Sequence, residues 1–219
     1  MLAQSSQSAK LVDLFKATGF KQTFKKGDYI IHPGETPSGV YYIEQGLVKA
    51  YDITKYNEEN LLIIRKNHEI FPLIWAITGQ ERHVIYQSLA NNTVTWRVDR
   101  KILLDTIHND PESMAPLLDM TIEMYRLHSE RILNLEYRTV RERIISFLLT
   151  MSRRFSVKKI EEGLMIEVPL RHQDIASSIN ASRETTSREL SALDKKGLIT
   201  SKQSFIILKN IEKLRNYLN

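Results

Sequence analysis

Cysteine is absent from the 219 residues. That excludes disulfides, cysteine nucleophiles and thiolate-held zinc or iron–sulfur sites, and it suits a reducing compartment. Long apolar runs are also missing, for none approaches the roughly 18 residues that a membrane helix needs. The opening MLAQSSQSAK lacks the basic-then-apolar order of a secretion signal. A soluble, cytoplasmic protein with no membrane partner is the expectation. The six histidines, His32, His68, His83, His108, His128 and His172, show no close metal-ligand spacing. Neither a metal, nor another cofactor, nor a catalytic constellation is indicated, so an enzyme is not expected.

What is present is an ordinary globular composition, 42% hydrophobic and 26% charged, on a length that suits two domains. The formal net charge of +5 is unevenly spread. Residues 1–137 hold 15 Lys and Arg against 17 Asp and Glu, whereas residues 138–219 hold 16 against 9. A basic C-terminal third beside a near-neutral remainder is the electrostatic footprint of a nucleic-acid-binding domain, although a solvated basic surface has the same composition.

The N-terminal half is cut into short β-rich runs. After a short amphipathic helix over LVDLFKATGF, Gly27, Pro33-Gly34, Pro37, Gly39 and Gly46 punctuate FKKGD, IIHPGETPSG and YYIEQGLVKAYDI. Many short strands at such spacing predict an all-β sandwich or barrel. Val40–Ile43 and Leu47–Tyr51 flank Glu44-Gln45-Gly46, and a hairpin is expected there. Residues 84–100 are expected to add at least two strands, and residues 100–107 a short helix.

Asp110-Pro111-Glu112 predicts a helix start, with Asp as cap and Pro at the first helical position. The helix should run to about Tyr137. Met114, Leu117, Thr121, Met124, His128, Arg131 and Leu135 recur at spacings of three and four. That is a heptad seam, suited to the same helix of a second subunit. Leu118, Tyr125 and Ile132 form a second stripe, expected to lie on the β domain. A buried helix of a monomer is the plainer alternative. Thr139-Val140-Arg141-Glu142 is a capping-box sequence that opens another helix, with Ile144, Ile145, Phe147, Leu148 and Met151 as its core face. The expected division is therefore a β-rich domain over 1–109, a dimerisation helix over 110–137 and a basic C-terminal domain over 138–219, hinged at 137–139.

Arg171 to Ile199 reads as two short helices joined by a tight turn. Ile175, Ala176 and Ile179 form the buried face of the first helix, Asn180-Ala181 the turn, and Ser182 the cap of the second. Thr186, Leu190 and Leu193 should point inward. Arg183, Glu184, Ser187 and Arg188 then share the other side, because 183/187 and 184/188 are four apart. This is a helix-turn-helix whose second helix enters the major groove N-terminus first. Arg offers two donors to guanine, and Glu accepts from cytosine N4. Ser182 and Thr185, with the free N–H groups at the helix start, suit phosphate, and Arg171 joins this DNA-contacting set. A Glu184–Arg188 salt bridge is the plainer reading of that pair. Leu198-Ile199 and Phe205–Leu208 form a hairpin wing, making a winged helix-turn-helix.

SRETTSREL followed by LDKKGLI, together with KKGDYIIHPGE, VYYIEQGLVKAY and the DPE that opens the long helix, resembles the Crp–Fnr family of bacterial transcription regulators over nearly the whole chain. The resemblance implies an α+β fold. A double-stranded β-helix (jelly roll) like a cyclic-nucleotide-binding domain comes first, then a long dimerisation helix, then a C-terminal winged helix-turn-helix. It implies a homodimer on double-stranded DNA, reading a palindrome with TGTGA- or TTGA-like half-sites, with RNA polymerase as a further partner. The family's recognition helix carries Arg-Glu-x-x-x-Arg or Glu-x-x-Ser-Arg, and Arg183, Glu184, Ser187 and Arg188 satisfy both. Glu184 and Arg188 are expected to read the G·C pair of the shared GA core.

The resemblance also locates a candidate effector pocket and shows a departure there. Members that bind cyclic AMP carry Gly-Glu before the phosphate-binding helix and Arg-Ser or Arg-Thr after it. Here Phe71-Pro72 stand in place of Gly-Glu, Arg82 matches the Arg, and His83 replaces the Ser or Thr. The ribose acceptor is gone, and Pro removes a backbone donor. Cyclic AMP is therefore not the expected signal. Phe71, Pro72, Arg82, His83 and the seam residue His128 make up the candidate pocket, and Phe71, Trp75 and Ile77 fit either a filled roll or an apolar ligand. Two other classes stay open. A cupin-like metal enzyme needs His and Glu ligands clustered on its strands. A regulatory protein acting through protein contacts would retain no DNA.

Overall fold

Alternating buried positions and frequent turns make the first part of the chain a roll. In the computed structural model, which describes residues 6–155 and 157–218, α1 (Ser6–Thr18) leads into β1 (Phe20–Phe24), β2 (Tyr29–Ile31), β3 (Val40–Gln45), β4 (Val48–Ile53), β5 (Glu59–Arg65) and β6 (Ile70–Phe71). There follow α2 (Leu73–Thr78), β7 (Ile85–Ser88), β8 (Thr93–Val98) and α3 (Arg100–Asn109). The strands form two four-stranded sheets, ordered β1-β8-β3-β6 and β2-β7-β4-β5. β3 shows why every residue from Val40 to Ile43 is buried. Strand side chains alternate between faces. Tyr41 and Ile43 join Ile31, Val48, Phe71 and Tyr86 between the sheets. Val40 and Tyr42 instead meet Leu11 and Phe15 of α1 and Leu103 and Ile107 of α3.

The expected hairpin does not form. β3 pairs with β6 and β8, and β4 with β5 and β7, so the chain changes sheets at Gly46. A glycine between two strand-like runs signals a reversal, but not which sheet the second run joins. Gly46 has φ +106°, and a Cβ there would lie 2.6 Å from Thr93 Oγ1. Glycine is required at this corner on both counts.

The remaining elements follow their caps. Asp110 accepts from Glu112 N–H and opens the short 3-10 turn Pro111–Ser113, which runs into α4 (Met114–Tyr137). At the start of α5 (Val140–Arg154) the Thr139 N–H donates to Glu142 Oε2 at 2.8 Å, and Thr139 Oγ1 accepts from the Glu142 N–H at 3.4 Å. Ile144, Ile145, Leu148 and Met151 are buried, and Phe147 is half-buried. Then come β9 (Val157–Ile160), β10 (Gly163–Ile166), α6 (His172–Ser178), α7 (Arg183–Lys195), β11 (Ile199–Lys202), β12 (Phe205–Leu208) and α8 (Ile211–Asn216). The wing hairpin does not stand alone: β12 pairs with β10, giving one sheet in the order β11-β12-β10-β9.

Packing divides the chain into two units. One runs up to Asp52 and includes Leu62–Arg126, and the other comprises Ile53–Leu61 and the chain from Leu127 onward. The division expected at 109/110 and 137/138 follows breaks in secondary structure, whereas these units follow contacts. Among the described residues, no helix is long and apolar enough to cross a membrane.

The seam expected on α4 divides between its two sides. Leu117, placed on the outer seam by its spacing, is 3% exposed and packs in the α1–α3 core. Met124 is half-buried. Arg131 donates to Leu61 O at 3.1 Å and Ser177 O at 3.3 Å. Leu118, Tyr125 and Ile132, expected to lie on the β domain, are 55%, 75% and 61% exposed. Together with the exposed Met114, Thr121 and His128 they form the outward stripe, at spacings of four and three, while Leu135 is half-buried. Residues 117 and 118 both satisfy a heptad pattern. The choice between them is made by the apolar surface that α1 and α3 present to Leu117.

Hydrogen bonds from the Thr139 hydroxyl and N–H hold the Glu142 carboxyl below the usual carboxylate range. A depressed carboxyl adds stability above its unfolded pKa and loses it as pH falls through the folded value. Thr139→Ala is expected to cost about 1 kcal/mol at neutral pH in urea denaturation. The gap to wild type should narrow as pH is lowered below the carboxylate range, and a gap that does not change with pH would contradict the coupling.

Candidate nucleic-acid interface

The helix-turn-helix is built from its caps outward. Asp174 sits in the first turn of α6 and accepts from the Arg171 N–H at 3.0 Å. Ile175, Ala176 and Ile179 are buried beneath that helix. The chain then turns at Asn180, whose φ of 50° lies in the left-handed region that asparagine tolerates. Ser182 caps α7: its Oγ accepts from the Thr185 N–H at 3.0 Å and its hydroxyl donates to Thr185 Oγ1 at 2.9 Å. Gly197, at φ 67°, ends the helix region.

α7 has one inward and one outward face, as its spacing predicts. Thr186, Leu190 and Leu193 are buried, and Glu189 is tied to Arg141 of α5 at 2.7 Å. Arg183, Glu184 and Arg188 are exposed, and Ser187 is half-buried. Glu184 and Arg188 form no ion pair among the described residues, so the salt-bridge reading of that pair is not what the structure shows. Ser187 Oγ is hydrogen-bonded to His172 Nδ1 at 2.8 Å, a contact across the motif that spacing along the chain did not indicate. The exposed end of α7 is also its N-terminus, where free N–H groups and the helix dipole favour anions.

Beside that end lies a groove of 510 Å³. Arg171, His172 and Gln173 line it from α6 and the residue before it, Arg183 from α7, and Ser201 and Ser204 from the wing. All six side chains can donate hydrogen bonds, which suits a phosphodiester backbone lying between the recognition helix and the wing. Arg171 is not simply presented to solvent. Its Nε and one terminal nitrogen donate to Asp174 at 3.0 and 2.8 Å, and that terminal nitrogen also meets Glu59 at 2.7 Å. The bond to Asp174 is the main cause of its raised pKa.

Phe71 is fully buried, stacked on Tyr41 at 5.3 Å and Tyr86 at 4.6 Å, and Pro72 is buried while Arg82 and His83 are exposed. His128 belongs to the other unit. The roll does hold charges that the sequence reading passed over. Lys49 and Arg65 are buried, with Arg65 3.5 Å from Glu69 and Lys49 Nζ 4.1 Å from the Tyr51 ring centre. Burial also pushes the Tyr86 hydroxyl pKa up. The only signal for Lys49 and Arg65 was a cation within or at the end of each of the apolar runs LVKAY and LLIIRK.

Comparison with known proteins covers both halves of the chain. A family model described as a Crp-like helix-turn-helix domain matches residues 142–217, and one described as a cyclic nucleotide-binding domain matches residues 21–110. The chain is similar to the global nitrogen regulator of Nostoc sp., at 27% identity over 208 residues, covering 89% of this chain and 90% of the relative. It is similar to the anaerobic regulatory protein of Bacillus subtilis, at 24% identity over 198 residues, covering 90% and 82%. Among solved structures, FixK2 from Bradyrhizobium japonicum matches with a TM-score of 0.77 and 25% identity over 91% of this chain and 96% of that one.

Thr186 gives a test of the α7 packing. Its Oγ1 is buried with no hydrogen-bond partner among the described residues, so Thr186→Val removes an unsatisfied polar group while keeping the shape. The variant is expected to gain about 1 kcal/mol in urea denaturation, since stranding such a group costs about 1–3 kcal/mol. A loss of stability would show that the hydroxyl has a partner.

Proposed function

Because the chain belongs to the Crp–Fnr family of DNA-binding transcription regulators, we propose that it acts as a homodimer whose two α7 helices read the halves of a palindrome in double-stranded DNA. The observation that carries this reading is the outward face of α7. Arg183, Glu184 and Arg188 stand exposed on the first two turns of a helix whose opposite side is anchored by Thr186, Leu190 and Leu193. Arg188 can give two parallel hydrogen bonds to guanine, and Glu184 can accept from the amino group of the paired cytosine. TGTGA- or TTGA-like half-sites suit that pair, with Arg183 and Ser187 near the neighbouring bases. Ser182, Thr185, the helix N-terminus and Arg171 take the phosphates and set the register.

The dimer is supported by α4. Its outward stripe of Leu118, Ile122, Tyr125 and Ile132 is apolar and exposed over most of the helix, and a second copy of the same stripe would cover it at heptad spacing. In this reading residues 110–137 dimerise, 138–219 bind DNA and 1–109 form the effector roll, all working in the cytoplasm with RNA polymerase as a further partner. Cyclic AMP is not the signal, since the Tyr41–Phe71–Tyr86 stack occupies the roll beside the place where the ribose acceptor is missing. The protein is not an enzyme in this reading, and it works by shifting the orientation of its two recognition helices.

Arg188→Ala and Glu184→Ala are each expected to weaken specific binding by about 1–3 kcal/mol. Salt-dependent binding to random duplex should survive in the Glu184 variant, because Glu184 neutralises no phosphate. Footprinting at several salt concentrations checks both points. Wild-type affinity of both variants for the same site would overturn the recognition assignment.

A further inference from the structure

Arg171 lies at the DNA-facing groove, yet it is already bound to two carboxylates. Arg171, Asp174 and Ser177 are spaced three apart and share one side of α6. Asp174 holds the Arg171 Nε at 3.0 Å and a terminal nitrogen at 2.8 Å. Glu59, 112 positions away in sequence, meets that terminal nitrogen at 2.7 Å. Glu59 stands at the start of β5, on the hairpin tip Ile53–Leu61 that packs as part of the second unit. The tip is pinned a second time, at Leu61. Its N–H donates to Ser177 Oγ at 3.1 Å, and its carbonyl accepts from Arg131 of α4 at 3.1 Å. Arg131 also donates to the Ser177 carbonyl at 3.3 Å. Hairpin, α6 and α4 are thus joined at one point.

We infer that Glu59 is an internal competitor of the DNA backbone for Arg171, and that the hairpin tip is a latch that keeps Arg171, at the α6 end of the DNA-binding face, occupied. This rests on the DNA reading of α6 and α7 proposed above. With the tip in place, one guanidinium faces two carboxylates, and a phosphate arriving there must displace Glu59 from Arg171. When the tip withdraws, Asp174 stays as part of α6 while Glu59 leaves, and Arg171 can take a phosphate oxygen. β4 and β5 continue from the tip into the first unit, where they carry the buried Lys49 and Arg65. The Arg171 side chain is 57% exposed and that of Glu59 34%, so the ion pair is reachable and partly screened, and its effect on binding is modest.

The test measures binding of the full-length protein by fluorescence anisotropy, to a duplex selected by the wild type from a random pool and to a random-sequence duplex. Glu59→Gln is expected to tighten binding about two- to five-fold, the range for an exposed ion pair, and Arg171→Gln to weaken it. The double variant should bind like Arg171→Gln alone. Ser177→Ala, which removes a pin of the tip together with the Ser177 hydroxyl's bond to the Asp174 carbonyl, should tighten binding in the same direction and guards against a cap defect in the Arg171 variant. If Glu59→Gln leaves affinity unchanged, or tightens it equally in the Arg171→Gln background, the carboxylate is not competing for Arg171 and the latch is overturned. Without DNA, the Arg171 side-chain N–H resonance should move in Glu59→Gln; no movement also overturns it. If the wild type retains no duplex from any pool while that resonance does move, the DNA reading fails and the ion pair stands as structure only.

Discussion

The long helix α4 cannot bury both of its apolar sides within one chain. Leu117 goes into the core formed with α1 and α3, and Arg131 goes to the backbone of Leu61 and Ser177. Leu118, Ile122, Tyr125 and Ile132 are left outside. Removing apolar surface from water is worth about 25 cal/mol per Å², and a contiguous exposed stripe of this kind marks a contact surface in monomeric proteins. The proposed dimer follows from that constraint. Only a pair of chains offers two recognition helices, and only a pair can be read out on a palindrome.

Local signals carried most of the elements. Asp110, Thr139 and Ser182 each cap the helix or turn that their spacing predicted, because a cap involves residues only two or three positions apart. The inward face of α7 is equally local, since Thr186, Leu190 and Leu193 obey the helical period. What was hidden depends on partners distant in sequence. Spacing alone cannot separate Leu117 from Leu118, because both fit a heptad and the α1–α3 surface decides. Gly46 announces a turn, but the sheet that β4 joins is set by β7 and β5. The sharing of one sheet by the wing and the 157–166 hairpin, and the meeting of Glu59 with Arg171, have no signature in either segment alone.

The outward face of α7 and the roll handle charge in different ways. On α7, Arg183, Glu184 and Arg188 are left exposed, and in the proposed reading their desolvation is matched to base edges at the moment of binding. In the roll, Lys49 and Arg65 are buried, where a charge is tolerated only beside partners such as Glu69 and the Tyr51 ring. The aromatic stack of Tyr41, Phe71 and Tyr86 packs with Val48 and Ala50. The hairpin tip packs as part of the second unit, where Glu59 meets Arg171. In the proposed mechanism the roll does not need to touch DNA to affect it, because the tip alters the charge that α6 offers.

The central claim is that the outward stripe of α4 pairs two chains. Sedimentation equilibrium of the wild type, of a Leu118→Glu, Ile132→Glu variant and of Leu117→Ala tests it most directly. The account predicts twice the chain mass for the wild type and the single chain mass for the glutamate variant. Leu117→Ala should lose about 2–5 kcal/mol of folding stability yet sediment as the dimer at concentrations where it remains folded. A monomeric wild type, or a glutamate variant that keeps the dimer mass, would contradict it.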